Sequence, residues 1–158
     1  MERQEATLNI EKILLSLCAL ITFFAAFWAD VLGPFSQEHI FNPKWPPHAK
    51  FHDSQYICMS MLLSLVALGF IWRRNLPQLE DHIIAGLILA SPYLGMYAAL
   101  LFPGTAMFDS EFDKLAAYVA GLYPQIWFAT VILGVIALSM VLTKQRSKRL
   151  QANESSFI

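Results

Sequence analysis

Charge is what this chain has least of. Asp, Glu, Lys and Arg make up 15% of its 158 residues, while hydrophobic residues make up 56%. Ordinary soluble domains carry about a quarter charged residues. The few charges cluster between long uncharged stretches, so a water-soluble domain is excluded and a membrane protein is implied. Cysteine is nearly missing. Cys18 and Cys58 both lie inside apolar runs and form no CxxC pair, so thiol-redox chemistry has nothing to work with, and both read as small core side chains. Histidine is short as well: His39, His48, His52 and His82 are too few for a membrane di-iron hydroxylase or desaturase, which needs a much larger set. Polar and apolar residues do not alternate along the apolar stretches, which excludes a transmembrane β-barrel. A basic excess is also lacking. The one basic run, "KQRSKRL", is explained by membrane topology and anionic lipid without any nucleic acid.

What the chain does have is four long apolar runs. A helix needs about 20 apolar residues to cross a hydrocarbon core of roughly 30 Å. Runs of that kind occur at about 13–32, 54–73, 82–102 and 117–143, the last extended backwards through "LAAYVAGLYPQ". The expected fold is therefore all-α, a single-domain integral membrane four-helix bundle in up-down-up-down order. The first run is expected to stay in place as a helix. It has no small-x-small cleavage site after it, and "MERQEATLNIEK" before it is mixed in charge rather than basic.

Basic residues orient the spans. Arg3, Lys12, Arg73, Arg74, Lys144, Arg146, Lys148 and Arg149 fall on one side, and only Lys44, Lys50 and Lys114 on the other. Both termini are thus expected in the cytoplasm, with loop 33–53 and the acidic "FDSEFD" outside, and the plasma (inner) membrane is the expected location. Small residues four apart, Ala25 and Ala29, Gly86 and Ala90, Ala117 and Gly121, favour close helix packing. They specify no dimer, and the sequence leaves a homo-oligomer open. Pro92 sits mid-span in "LASPYLGMY" and frees the carbonyl of Ile88, with the hydroxyls of Ser91, Tyr93 and Tyr97 nearby. A kinked polar helix of this kind can line a cavity. It can equally be ordinary membrane packing.

The most unusual stretch is "NPKWPPHAKFHDSQ". Pro46 and Pro47 suit the first turn of a helix, which would start the second span above the hydrocarbon. His48, His52, Gln55 and Met59 then share one stripe, with Trp45 and Tyr56 in the aromatic belt and Asp53 beside them. Asp30, ending the first span in "FFAAFWADVLGP", lies at the same depth and needs a partner, because a carboxylate near hydrocarbon is costly. His48 and His52 are the expected partners, with Lys50 as fallback, and Tyr123 and Gln125 enter the fourth span at that level. Three readings follow. Asp30, His48 and His52 hold a single divalent metal; or they act as acid and base, the catalytic set, beside ligand-binding residues Trp45, Asp53, Gln55, Tyr56, Tyr93, Tyr97 and Gln125; or they only cap and clamp helices.

The segment N-P-x-W-P-P-H-A-x-F-H-D, residues 42–53, together with the span layout, resembles a family of small four-span membrane proteins known as a domain of unknown function. The resemblance implies the fold and draws attention to His48, His52 and Asp53, and it implies no activity. Two functional classes remain. One is a membrane enzyme acting on a lipophilic small molecule near the outer leaflet. The other is a non-catalytic accessory subunit binding lipid or a partner. A transporter fits least, since no span carries a charge at its midplane.

The orientation is testable. In a background without native cysteines, a cysteine at Ser36 should react with an impermeant thiol reagent added outside, and one at Ser147 should not. The reverse pattern overturns the assignment.

Overall fold

The computed structural model describes residues 9–33, 35–74, 79–109, 111–112 and 118–155. Helix α1, Ile10–Phe27, runs on into a π-helical segment, Trp28–Leu32. Helices α2, Pro47–Trp72, α3, Leu79–Ala99, and α4, Pro124–Ser155, complete the fold. All four are long and apolar enough to cross a membrane, which makes the chain a multi-pass integral membrane protein. No strand occurs among the described residues; the one extended pairing is an isolated bridge between Val119 and Leu122.

Local chemistry explains where these helices begin and continue. Pro46 is extended, with φ −66° and ψ 153°, and Pro47 opens α2 at a position where the missing N–H costs nothing. Glu80 and Asp81 put negative charge at the start of α3, where the helix dipole favours it. Pro92 lies inside α3, and Ser91 Oγ donates to the Ile88 carbonyl at 2.7 Å, so the group that Pro92 leaves open is bonded within the helix.

The fourth helix corrects the sequence expectation. It begins at Pro124, not near residue 117, which together with residues 113–116 lies outside the described residues. Val119 and Leu122 exchange two backbone hydrogen bonds of 2.9 and 3.1 Å across Ala120 and Gly121, whose φ values are 49° and 77°. Two successive positive φ angles make a type I′ turn, which no helix can include. Trp127 Nε1 donates to the Val119 carbonyl at 2.8 Å and fastens this turn to α4.

Each helix packs on its neighbours in sequence, and α4 returns to α1. The core holds Leu15, Cys18 and Ala19 of α1, Ala67 and Ile71 of α2, Ala85 and Leu89 of α3, and Ala129, Ile132 and Ile136 of α4. Outward faces are just as apolar, with Leu17, Leu62, Leu87 and Val131 exposed, as expected for surfaces that meet lipid. Of the small-residue pairs, Gly86 and Ala90 are buried, and a Cβ at Gly86 would lie 2.1 Å from Met140 Cε and 3.2 Å from Ile136 Cγ2. Gly86 therefore lets α3 and α4 approach.

One end of the bundle is a buried polar layer. Glu11 and Lys12 at the start of α1 and Asp81 and His82 at the start of α3 are all at most 4% exposed. Arg146 of α4 binds Glu11 at 2.8 Å and also the Asn9 side chain, and Ser139 Oγ donates to the Glu11 carbonyl at 2.8 Å. Lys12 Nζ donates to the Arg74 carbonyl at 2.5 Å and lies 5.1 Å from the centre of the Trp72 ring. Arg73 and Arg74 reach Asp81 at 2.8 and 3.3 Å.

The packing argument yields a paired test. Gly86→Leu should lower unfolding stability in detergent by about 1–3 kcal/mol, the usual cost of overpacking. Gly69→Leu, where nothing lies within 4 Å of the added Cβ, should melt like wild type.

Candidate functional site

The opposite end of the bundle is built differently. Asp30 lies in the π-helical segment, which the Gly33 amide closes by donating to the Trp28 carbonyl at 2.5 Å. A Cβ at Gly33 would come within 2.5 Å of that same carbonyl oxygen, so glycine is what permits the closure. The wider turn holds Asp30 at 9% exposure. Segments of this kind recur at functional sites.

Residues 35–45 fold back over this end in successive turns. Asn42, at 1% exposure, pins them. Its Nδ2 donates to the Glu38 carbonyl at 3.4 Å, and its Oδ1 accepts from the Lys44 amide at 2.9 Å, the Asx geometry that suits Asn before Pro. The fold-back brings His39 to Asp30. Nδ1 of His39 is 2.9 Å from the Phe35 carbonyl oxygen and 3.4 Å from Asp30 Oδ1, and Trp45 meets the imidazole edge-on at 5.4 Å. A single Nδ1–H thus serves two acceptors, and Asp30 holds the longer contact.

Asp30 and His39 line a cavity of about 600 Å³ that reaches into the bundle. Its walls are Thr22 and Ala25 of α1, Ala29 of the π-helical segment, Asp53, Tyr56 and Leu63 of α2, Tyr93, Gly95 and Met96 of α3, and Gln125 and Phe128 of α4. A second space of about 310 Å³ shares His39, Asp53 and Gln125 and adds Glu38, Trp45 and Asp109. Asp53 is half-buried, and its Oδ2 is a buried atom with no hydrogen-bond partner. Burial raises the Glu38 carboxyl above its ordinary pKa; His39 opposes the shift and Asp109 adds to it. Tyr93 Oη and Thr22 Oγ1 are 2.8 Å apart and bridge α1 to α3 at the cavity wall.

Several expected site residues therefore converge: Asp30, Asp53, Tyr56, Tyr93 and Gln125 on the larger cavity, and Trp45 on its neighbour, where Nε1 donates to Asp109 Oδ2 at 3.3 Å. His48 and His52 do not join them. Both are exposed, their Nε2 atoms are 3.1 Å apart, and His52 Nδ1 lies 3.3 Å from Oε1 of the exposed Gln55. Asp30 meets His39 instead of either, and Lys50 takes no part. The expected set Asp30, His48 and His52 is thus divided between two faces of the structure. Among the described residues, no group of three or more His, Cys, Asp or Glu is placed to hold a metal ion. Tyr97 faces α4, with its hydroxyl 2.7 Å from Thr130 Oγ1 and donating to the Ile126 carbonyl at 3.2 Å.

His39 is the residue that sequence reasoning left without a role. Periodicity cannot place a loop residue. The available signal was Asn42 before Pro43, which marks a tight turn and hence a loop that doubles back.

Comparison with known proteins gives this fold a family. Residues 14–154 match the family of unknown function DUF6640. The chain belongs to it. No curated protein and no solved structure matches the chain, so the membership brings no activity with it.

The Asp30–His39 contact separates the histidines experimentally. His39→Ala should destabilise the folded protein by about 1–3 kcal/mol, the cost of stranding a buried polar partner. His48→Ala and His52→Ala, at exposed positions, should stay within about 0.5 kcal/mol in the same denaturation assay.

Proposed function

We propose that this membrane protein takes a lipophilic small molecule from the outer leaflet into the cavity that Asp30 and His39 line. One observation carries the reading: a largely apolar cavity of about 600 Å³ with Asp30, His39, Asp53 and Gln125 among its lining residues. That size falls within the roughly 300–1,000 Å³ of small-molecule sites, and such sites combine apolar walls with a few convergent polar groups. In this reading the helices run up-down-up-down in the plasma membrane with both termini cytoplasmic. Contacts linking the starts of α1 and α3 to the ends of α2 and α4, and the clustering of Lys and Arg at that end, support it. Membrane lipids are the surroundings and the source of the ligand.

The geometry of His39 favours proton transfer on the bound molecule as a second reading. Asp30 and the Phe35 carbonyl both lie at Nδ1, which fixes that nitrogen as the donor and leaves Nε2 as the basic one. A carboxylate behind an imidazole makes the distal nitrogen a better base, as in an enzyme acting by acid–base catalysis. A purely accessory subunit needs no such pair.

Native mass spectrometry of the protein extracted in mild detergent tests the principal reading. Wild type should retain a lipophilic non-protein molecule, and Gly95→Phe or Ala29→Phe, which fill the cavity, should lose it while remaining folded. Equal retention by these folded variants overturns the cavity as the site.

A further inference from the structure

We infer that the molecule held in the cavity carries a positively charged nitrogen, a protonated lipophilic amine, which sits against Asp30 and Asp53 while its apolar body lies among α1, α2 and α3. The inference rests on the cavity reading above and narrows it to one chemical class. It starts from the charges. Among the described residues lining the two connected spaces stand the carboxyl groups of Asp30, Asp53, Glu38 and Asp109, with the imidazole of His39 and no lysine or arginine. The nearby Lys44 is tied to Glu111 outside both spaces. An anionic head, whether carboxylate, phosphate or sulfate, would meet like charge there, and partly buried charges are screened less than exposed ones.

The carboxylates are also short of donors. Asp53 Oδ2 is buried with no partner, and Asp30 shares one Nδ1–H with the closer Phe35 carbonyl. Unsatisfied buried acceptors are costly. A hydroxyl head brings one donor and no charge. An ammonium brings opposite charge and charge-assisted hydrogen bonds. A bare inorganic cation would leave most of a space of about 600 Å³ unfilled, including the part walled by apolar residues such as Ala25, Leu63 and Met96. The same walls suit the body of an organic cation.

Full-length protein in phosphatidylcholine nanodiscs can be tested with three probes of one skeleton: 8-phenyloctylamine, 8-phenyloctan-1-ol and 8-phenyloctanoate. Binding is read by ligand-dependent shifts in melting temperature, with empty discs as the partition control. The amine should bind at least tenfold tighter than the alcohol, and the carboxylate weakest. Asp53→Asn should erase the preference for amine over alcohol, whereas Asp53→Glu should keep it; each variant qualifies by melting as a folded protein without probe. Equal binding of all three probes, or an amine preference that survives both Asp53→Asn and Asp30→Asn, overturns the cationic ligand and leaves the cavity reading standing. If none of the three binds, the cavity reading falls and the inference falls with it. Phosphatidylethanolamine added to the discs should leave the amine's affinity unchanged; competition by it would assign the ammonium to a lipid head group and overturn a free amine.

Discussion

Hydrocarbon solvates neither a peptide group nor a charge, and this bundle is organised around that constraint. Backbone groups are satisfied by making every crossing segment a helix. The charges are harder, because apolar faces cannot set the register of helices whose surroundings are as apolar as they are. The layer around Glu11, Lys12 and Asp81 sets it instead. Glu11 meets Arg146 of α4, Lys12 meets the Trp72 ring that ends α2 and the Arg74 carbonyl just after it, and Asp81 meets the arginines that follow α2. Buried ion pairs are weak sources of net stability because desolvation offsets attraction. Their value here is that each charged group has its partner on a different segment, so a helix shifted by one turn would strand several charges together.

The loop end obeys the same constraint less completely, and that incompleteness is what makes it the candidate site. Asp30 is buried but shares its donor, Asp53 keeps a buried oxygen unfilled, and the helices leave space between them. Elsewhere at this end polar groups close against one another. Tyr93 meets Thr22, and Tyr97 reaches Thr130 and the Ile126 carbonyl. The unfilled oxygen of Asp53 and the shared donor of Asp30 thus both belong to residues that line one cavity.

The spans were legible in the sequence because long apolar runs have few alternatives in water or in lipid. The start of α2 at the double proline was legible for a stereochemical reason, and so was the need of Asp30 for a partner. Which partner was not. Periodicity places His48 and His52 on one stripe but does not say how α2 is rotated about its axis. Asp53 is one residue, about 100° of rotation, beyond His52. In the structure the Asp53–Tyr56–Leu63 face turns inward and carries the histidines out. His39 depends on how the loop folds around Asn42, and no repeat encodes that. The segment before Pro124 misled for a similar reason: "AAYVAGLY" is as apolar as a span, and the paired positive φ angles of Ala120 and Gly121 break it.

The cavity penetrates only part of the bundle. Its lining ends at Thr22 on α1 and Leu63 on α2, and beyond them Leu15, Cys18, Ala19, Ala67 and Leu89 are at most 1% exposed. Below those the charged layer joins the helices across the axis. The space is therefore closed at its inner end and does not run through the bundle. On the reading proposed above, such a space is a holding site and not a passage, since no continuous path leads from it through the packed core.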